Sequence, residues 1–192
     1  LTMNQHSPCS RRQFLARTAT ATTAAALANL SGFEAFGAAP FAPPLAVFSK
    51  VYQELKLDFT AAAEVTAEAG LEGVDCPVRP GGEILPERAA EDMPRYAEAL
   101  RKRGAGLLLL TTGIVSPSSP HAEAILRTAK TLGIRYYRLG APTHQRNKPV
   151  DAQRAELRSQ LKELAALNRE IGITAVFQNH SPGGRVYFGG DL

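Results

Sequence analysis

The sequence predicts an α/β fold of consecutive parallel βα units, and three observations carry that expectation. First, four amphipathic stretches each run into a glycine and then straight into an apolar segment: Glu68-Ala69-Gly70-Leu71, Lys102-Arg103-Gly104-Ala105, Thr131-Leu132-Gly133-Ile134 and Glu170-Ile171-Gly172-Ile173. Glycine is favoured just past a helix end because that position wants a left-handed backbone, which costs glycine nothing. Second, these junctions recur about every 30 to 40 residues, the rhythm of βα repeats joined by short loops. Third, Gly106-Leu107-Leu108-Leu109-Leu110-Thr111 is apolar without alternation, as a strand covered on both faces should be.

Taken in order, the first strand is expected from Leu45 to Val51, after a proline-rich linker at 40–44. Asp58 then offers an N-cap for a helix from Phe59 to Ala69, since its carboxylate can accept from the free amides of the first turn. The second strand, Gly73 to Val78, leads into the stiff turn Arg79-Pro80-Gly81-Gly82. The next helical region has Pro86 near its start and Pro94 inside it; Asp92 as a fresh cap would place Pro94 in a first turn, where no amide is missed. A third strand at 106–111, a helix at His121–Leu132 and a fourth strand at Arg135–Leu139 follow. The longest helix spans about Asp151 to Ile171. Its Leu157, Leu161, Leu164, Asn168 and Ile171 recur at helical spacing and define the face turned to the sheet. The fifth strand, Ile173 to Phe177, runs into Gln178-Asn179-His180.

A chain of 192 residues, 44% apolar and 21% charged, suffices for one domain with a substantial core. Its 22 basic and 18 acidic residues give +4, but the first 39 residues hold Arg11, Arg12 and Arg17 against Glu34, which leaves a net +2 for the rest. That surplus is too small and dispersed to argue for nucleic acid. Ser10-Arg11-Arg12-Gln13-Phe14-Leu15 resembles the twin-arginine export motif and precedes a soft stretch from Ala16 to Leu30, too short and weakly apolar to span a bilayer. Residues 1–39 are therefore expected to be a signal peptide, with the translocase as a partner in transit, no stable membrane anchor, and a periplasmic or extracellular destination. Cys9 falls in that segment and Cys76 in the domain, so no disulfide joins them after cleavage.

Five βα-type strands admit a small doubly wound sheet or part of an eight-stranded barrel, which normally takes about 250 residues. A glycine-rich phosphate turn after the first strand would favour the former; Ser49-Lys50-Val51-Tyr52-Gln53 holds no glycine. The expectation is a parallel (β/α) barrel of the TIM type over 45–192, partial, with about five βα units.

With those strand ends in view, the chain resembles the sugar phosphate isomerase/epimerase family with the xylose-isomerase-like barrel. The resemblance rests on Gly73-Val74-Asp75-Cys76-Pro77-Val78-Arg79-Pro80-Gly81-Gly82, on Tyr136-Tyr137-Arg138-Leu139-Gly140, and on Phe177-Gln178-Asn179-His180-Ser181, where the family often has Glu-Asn-His. It implies an N-terminal part of such a barrel, with a divalent metal, manganese or magnesium, at the mouth of the complete protein. Glu, Asp, His and Glu from the fifth to eighth strands would hold that ion, and two carboxylates would shuttle a proton beside the hydroxy-carbonyl carbons of a sugar. Gln178 stands at the first of those ligand positions, neutral where the family has a carboxylate, and Glu83 stands where a histidine is usual. The chain as given is therefore expected to bind no metal tightly. The functional reading is a sugar isomerase/epimerase-like protein; the alternative is a carbohydrate-binding barrel that has lost its metal site, and a fainter third is a metal-dependent hydrolase or endonuclease.

The candidate substrate-binding residues are Arg79, Arg138, Asn179 and His180, with Gln178 as the metal position. Arg79 suits an anion or a sugar hydroxyl, against a salt bridge to Asp75 or Glu83, and Arg138 carries the same pair of readings. Gln178, Asn179 and His180 could equally satisfy loop backbone groups. Glu54 and Asp75 are possible acids, Asp75 otherwise accepting from loop amides. His144 reads as a solvated loop residue, Cys76 as a small core or mouth residue, and Tyr136 and Tyr137 as packing.

Overall fold

The computed structural model describes residues 42–142, 145 and 147–178. The expected leader at 1–39, Cys9, His144, Asn179 and His180 lie outside the described residues. Among the described residues no helix is long and apolar enough to cross a membrane.

Five parallel strands pair in sequence order. They are β1 (Ala46–Phe48), β2 (Gly73–Val78), β3 (Gly106–Thr112), β4 (Tyr136–Arg138) and β5 (Thr174–Val176). The helices are α1 (Lys50–Glu54), α2 (Phe59–Glu68), α3 (Ala89–Lys102), α4 (Ala122–Thr131) and α5 (Val150–Ile171), with a short 3-10 turn at Pro86–Arg88 before α3. All four junction glycines have positive φ, from 68° at Gly70 to 79° at Gly133, so each helix ends as its glycine predicts. Asp58 caps α2, accepting from the amides of Thr60 at 3.0 Å and Ala61 at 2.8 Å.

Two elements differ from expectation. The first strand stops at Phe48, because the Ser49 carbonyl accepts from the amides of Tyr52 (2.9 Å) and Gln53 (3.3 Å) and turns the chain into α1. Glu54 lies on that helix rather than on the strand, paired with Lys50 at 3.3 Å and exposed. Asp92 is no cap: α3 runs unbroken from Ala89, and Asp92 is clamped by Arg88 (2.7 and 2.9 Å) and Arg95 (3.2 Å) from the turns on either side. The helix therefore carries Pro94 inside it, at the loss of one backbone hydrogen bond.

The sheet presents one face to the helices. There Val74, Cys76, Val78, Leu110 and Tyr137 are fully buried against Met93, Tyr96, Leu100, Ile125, Leu126 and Leu164. Removing a side chain such as Leu100 from water contributes about 1.5–3 kcal/mol. Phe59 stacks on Tyr96 with ring centroids 4.6 Å apart, tying α2 to α3. On α5, Leu157, Leu164, Asn168 and Ile171 are buried as their spacing predicts, and Asn168 accepts from the Tyr137 hydroxyl at 3.0 Å.

Strand register assigns the other face. Asp75 pairs with Leu109, Thr111 with both Pro77 and Arg138, and Arg138 with Val176, so these side chains share the surface away from the helices. Phe48, Tyr136 and Val176 belong to that face and are 38%, 47% and 37% exposed. Of the two tyrosines expected as core and sheet-face packing, Tyr137 is in the core and Tyr136 lies half-exposed on this second sheet face.

Candidate functional site

The polar groups of the second face run from Asp75, midway along β2, to Thr111 and Arg138 at the C-terminal ends of β3 and β4, the end where parallel βα folds do their chemistry. Asp75 is central. Both of its carboxylate oxygens accept from the Thr111 hydroxyl, at 2.8 and 3.0 Å, so its partner is a side chain of the next strand rather than a loop amide. Partial burial raises its pKa above the ordinary value, while the Thr111 bond and the charges of Arg138 and Arg79 pull the other way. A carboxyl raised in this way can hold or accept a proton closer to neutral pH than a solvated aspartate.

Arg138, at the end of β4, lies over the Phe48 ring, 5.9 Å from its centroid, and donates from Nη1 to Gln178 Oε1. Burial lowers its pKa from the usual guanidinium value, Asp75 raises it, and Arg79 lowers it, so the two guanidiniums feel one another across the site. Arg79 is fixed from below by its loop. Its amide donates to the Ile84 carbonyl at 3.2 Å, its carbonyl accepts from Gly82 at 2.8 Å, and Gln53 Nε2 reaches the Gly81 carbonyl at 3.1 Å. Gly82 must be glycine, since a Cβ there would sit 2.5 Å from the Pro77 carbonyl oxygen. The loops beyond β3 and β4 are drawn together by the Gly140 amide donating to Ile114 at 2.8 Å.

The structure thus joins Arg138 directly to Gln178, with Asp75 and Arg79 close enough for their charges to act on Arg138. Neither expected salt bridge of Arg79 forms. Asp75 is turned to Thr111, and Glu83 points into a separate polar cluster where it accepts from the Ser49 hydroxyl and, at 3.6 Å, from the Cys76 thiol. Cys76 is a fully buried free thiol whose pKa burial pushes well up, then Glu83 further, which makes it an inert core residue. Sequence reasoning missed Thr111 and Phe48. Thr111 was signalled by being the first polar residue at the end of an otherwise leucine strand.

The described residues do not fit a divalent cation. Among them no three His, Cys, Asp or Glu side chains converge. The Gln178 oxygen is engaged by a guanidinium, which repels a dication. No chemical step is therefore routed through a metal.

A parallel βα sheet with an acid and two arginines on the face away from the helices defines the architectural class, that of the βα barrels. The fold comparisons are more particular. The probable 3-DHS dehydratase AsbF of Bacillus anthracis superimposes with a TM-score of 0.55 at 13% identity, over 72% of this chain and 53% of that one. A Rhodospirillum rubrum protein assigned provisionally as a xylose isomerase gives 0.53 at 17% identity, over 69% and 52%. The IolI protein, in a structure holding a zinc atom, gives 0.51 at 19% identity, over 70% and 51%. The fold is that of the xylose-isomerase-like TIM barrels, of which five consecutive strands are described. The chain spans about half the length of these proteins. No protein-family model matches the sequence. No curated protein matches it either.

Proposed function

We propose that the mouth of this barrel takes a sugar or sugar derivative, and that the protein belongs to the isomerase/epimerase type of chemistry. The observation that carries the reading is the Asp75–Thr111 pair facing Arg138 and Gln178 on the ligand side of the sheet. Asp75 would exchange a proton with a carbon or hydroxyl beside a carbonyl. Thr111 holds its carboxyl in place, and Arg138 would stabilise oxyanion character on the neighbouring oxygen. That fold neighbours are named as an isomerase and a dehydratase supports the class. A divalent ion, as in the zinc-bearing neighbour, forms no part of the proposal, because the described residues do not fit one. Export by the twin-arginine route, on the strength of Arg11 and Arg12, completes it.

A second reading, a carbohydrate-binding barrel without catalysis, is favoured by one fact: the fifth-strand position is a neutral amide bonded to an arginine. Incubation of the 192-residue chain with aldoses and ketoses in D2O, followed by proton NMR, separates the two. Deuterium wash-in next to the carbonyl, abolished by Asp75→Asn, is the expected result for catalysis. Saturation-transfer contacts without wash-in select the binding reading, and neither signal with any sugar overturns both.

A further inference from the structure

We infer that the ligand of this site carries a carboxylate, held between Arg79 and Arg138. The inference rests on the sugar reading above and specifies its substrate class as sugar acids. Three arginines among the described residues are half-buried: Arg79, Arg138 and Arg154. Arg154 pairs with Asp151 at 3.7 Å. Among the described residues, Arg79 and Arg138 have no carboxylate within ion-pair distance; of the exposed arginines, Arg88, Arg95, Arg101, Arg103 and Arg127 have one, while Arg135, Arg158 and Arg169 have none but keep their water.

A guanidinium taken partly out of water without a counter-ion is costly, and two that repel one another are costlier. The Arg138 guanidinium is nevertheless held in position by the Phe48 ring and Gln178, and the backbone that carries Arg79 is fixed by the proline-glycine turn. Arg138 donates to a neutral amide, which leaves its charge unspent. Two guanidiniums against the single Asp75 leave a surplus of one positive charge, and a monoanion balances it. The planar fork of arginine matches a carboxylate with two parallel hydrogen bonds. With the carboxylate anchored there, the hydroxyl-bearing carbons would lie toward Asp75.

Isothermal titration of the purified chain with four probes tests this: glucuronate, glucose, glucose 6-phosphate and cyclohexanecarboxylate. The expected order places glucuronate at least tenfold tighter than glucose and tighter than both other probes. Arg79→Gln and Arg138→Gln should each erase that preference, while Arg79→Lys keeps part of it. Glucose binding as tightly as glucuronate overturns the carboxylate inference and leaves the sugar reading standing. Glucose 6-phosphate binding tightest replaces carboxylate by phosphate and overturns it likewise. Cyclohexanecarboxylate equal to glucuronate keeps the anion site and sinks the sugar reading. No binding by any probe overturns both.

Discussion

Glu83 lies beneath the barrel mouth in a buried polar cluster that is imperfectly satisfied, and replacing it by glutamine should stabilise the protein at neutral pH. Its Oε2 accepts from the Ser49 hydroxyl and the Cys76 thiol, but Oε1 has no hydrogen-bond partner. The Tyr96 hydroxyl is near enough to favour the ionised carboxyl, yet it too is buried and makes no hydrogen bond of ordinary geometry. Burial raises the Glu83 pKa above its ordinary 4.5, more than these donors lower it. The protonated form is thus favoured in the fold, so the contribution to stability is full below pH 4.5. It is lost as pH rises through the raised folded value. In Glu83→Gln, the amide oxygen still accepts from Ser49 and Cys76, and the amide nitrogen can donate to Tyr96. An orphaned buried polar group costs about 1–3 kcal/mol. For a half-buried site the low end applies, about 1 kcal/mol, which for a chain of this size is about 2–4 °C in Tm. Thermal melts of both proteins from pH 4.5 to 8 should show the gap at pH 7 and its closure near pH 4.5. Some slope should remain in the variant, because the Asp75 carboxyl is raised as well. A variant that melts no higher at pH 7, with undiminished pH dependence, would show that the carboxylate is ionised and well solvated.

Gly73→Ala should cost about 1–3 kcal/mol in denaturant unfolding, since its Cβ would sit 2.2 Å from the Gly106 carbonyl oxygen and 2.7 Å from Leu108 Cγ. Tyr137→Phe removes the donor to Asn168 at 3.0 Å and leaves a buried acceptor unpaired, an expected loss of about 1–2 kcal/mol read the same way. Joint replacement of Arg11 and Arg12 by lysine should hold the precursor in the cytoplasm, seen by fractionation and immunoblot; undiminished export would refute the targeting proposal.

The parts of the fold that local chemistry specifies were legible in the sequence. Positive φ at Gly70, Gly104, Gly133 and Gly172 is demanded by the helix end itself, and the Asp58 cap by the two amides it accepts. Strand β2 follows from an apolar run stopped by Arg79-Pro80. What was not legible depends on partners far along the chain. Asp75 finds Thr111 across 36 residues, and Glu83 finds Ser49 across 34. Both contacts decide the fate of Arg79, which loses its two nearest carboxylates to other donors. The end of β1 misled for a different reason: Val51 and Tyr52 favour strands locally, but Tyr52 is buried from a helical turn begun at Ser49.

Charge, rather than fold, decides what the mouth can hold. In the family that the sequence resembles, a carboxylate at the fifth-strand position would attract a dication and would also neutralise a neighbouring arginine. With Gln178 both effects vanish at once. Its oxygen is taken by Arg138, and nothing described at the mouth beyond Asp75 offsets the guanidiniums. Two unit charges about 4 Å apart interact by about 4 kcal/mol at an effective dielectric of 20, and a dication doubles that figure. A divalent ion beside Arg138 would meet a repulsion of this order, and Asp75, held by Thr111 and already felt by both arginines, offers a single carboxylate against it. The same numbers with the sign reversed attract an anion. On the proposed reading, the neutral Gln178 both withholds a carboxylate from a dication and leaves the charge of Arg138 for the carboxylate of a ligand, so the two expectations stand or fall on one residue.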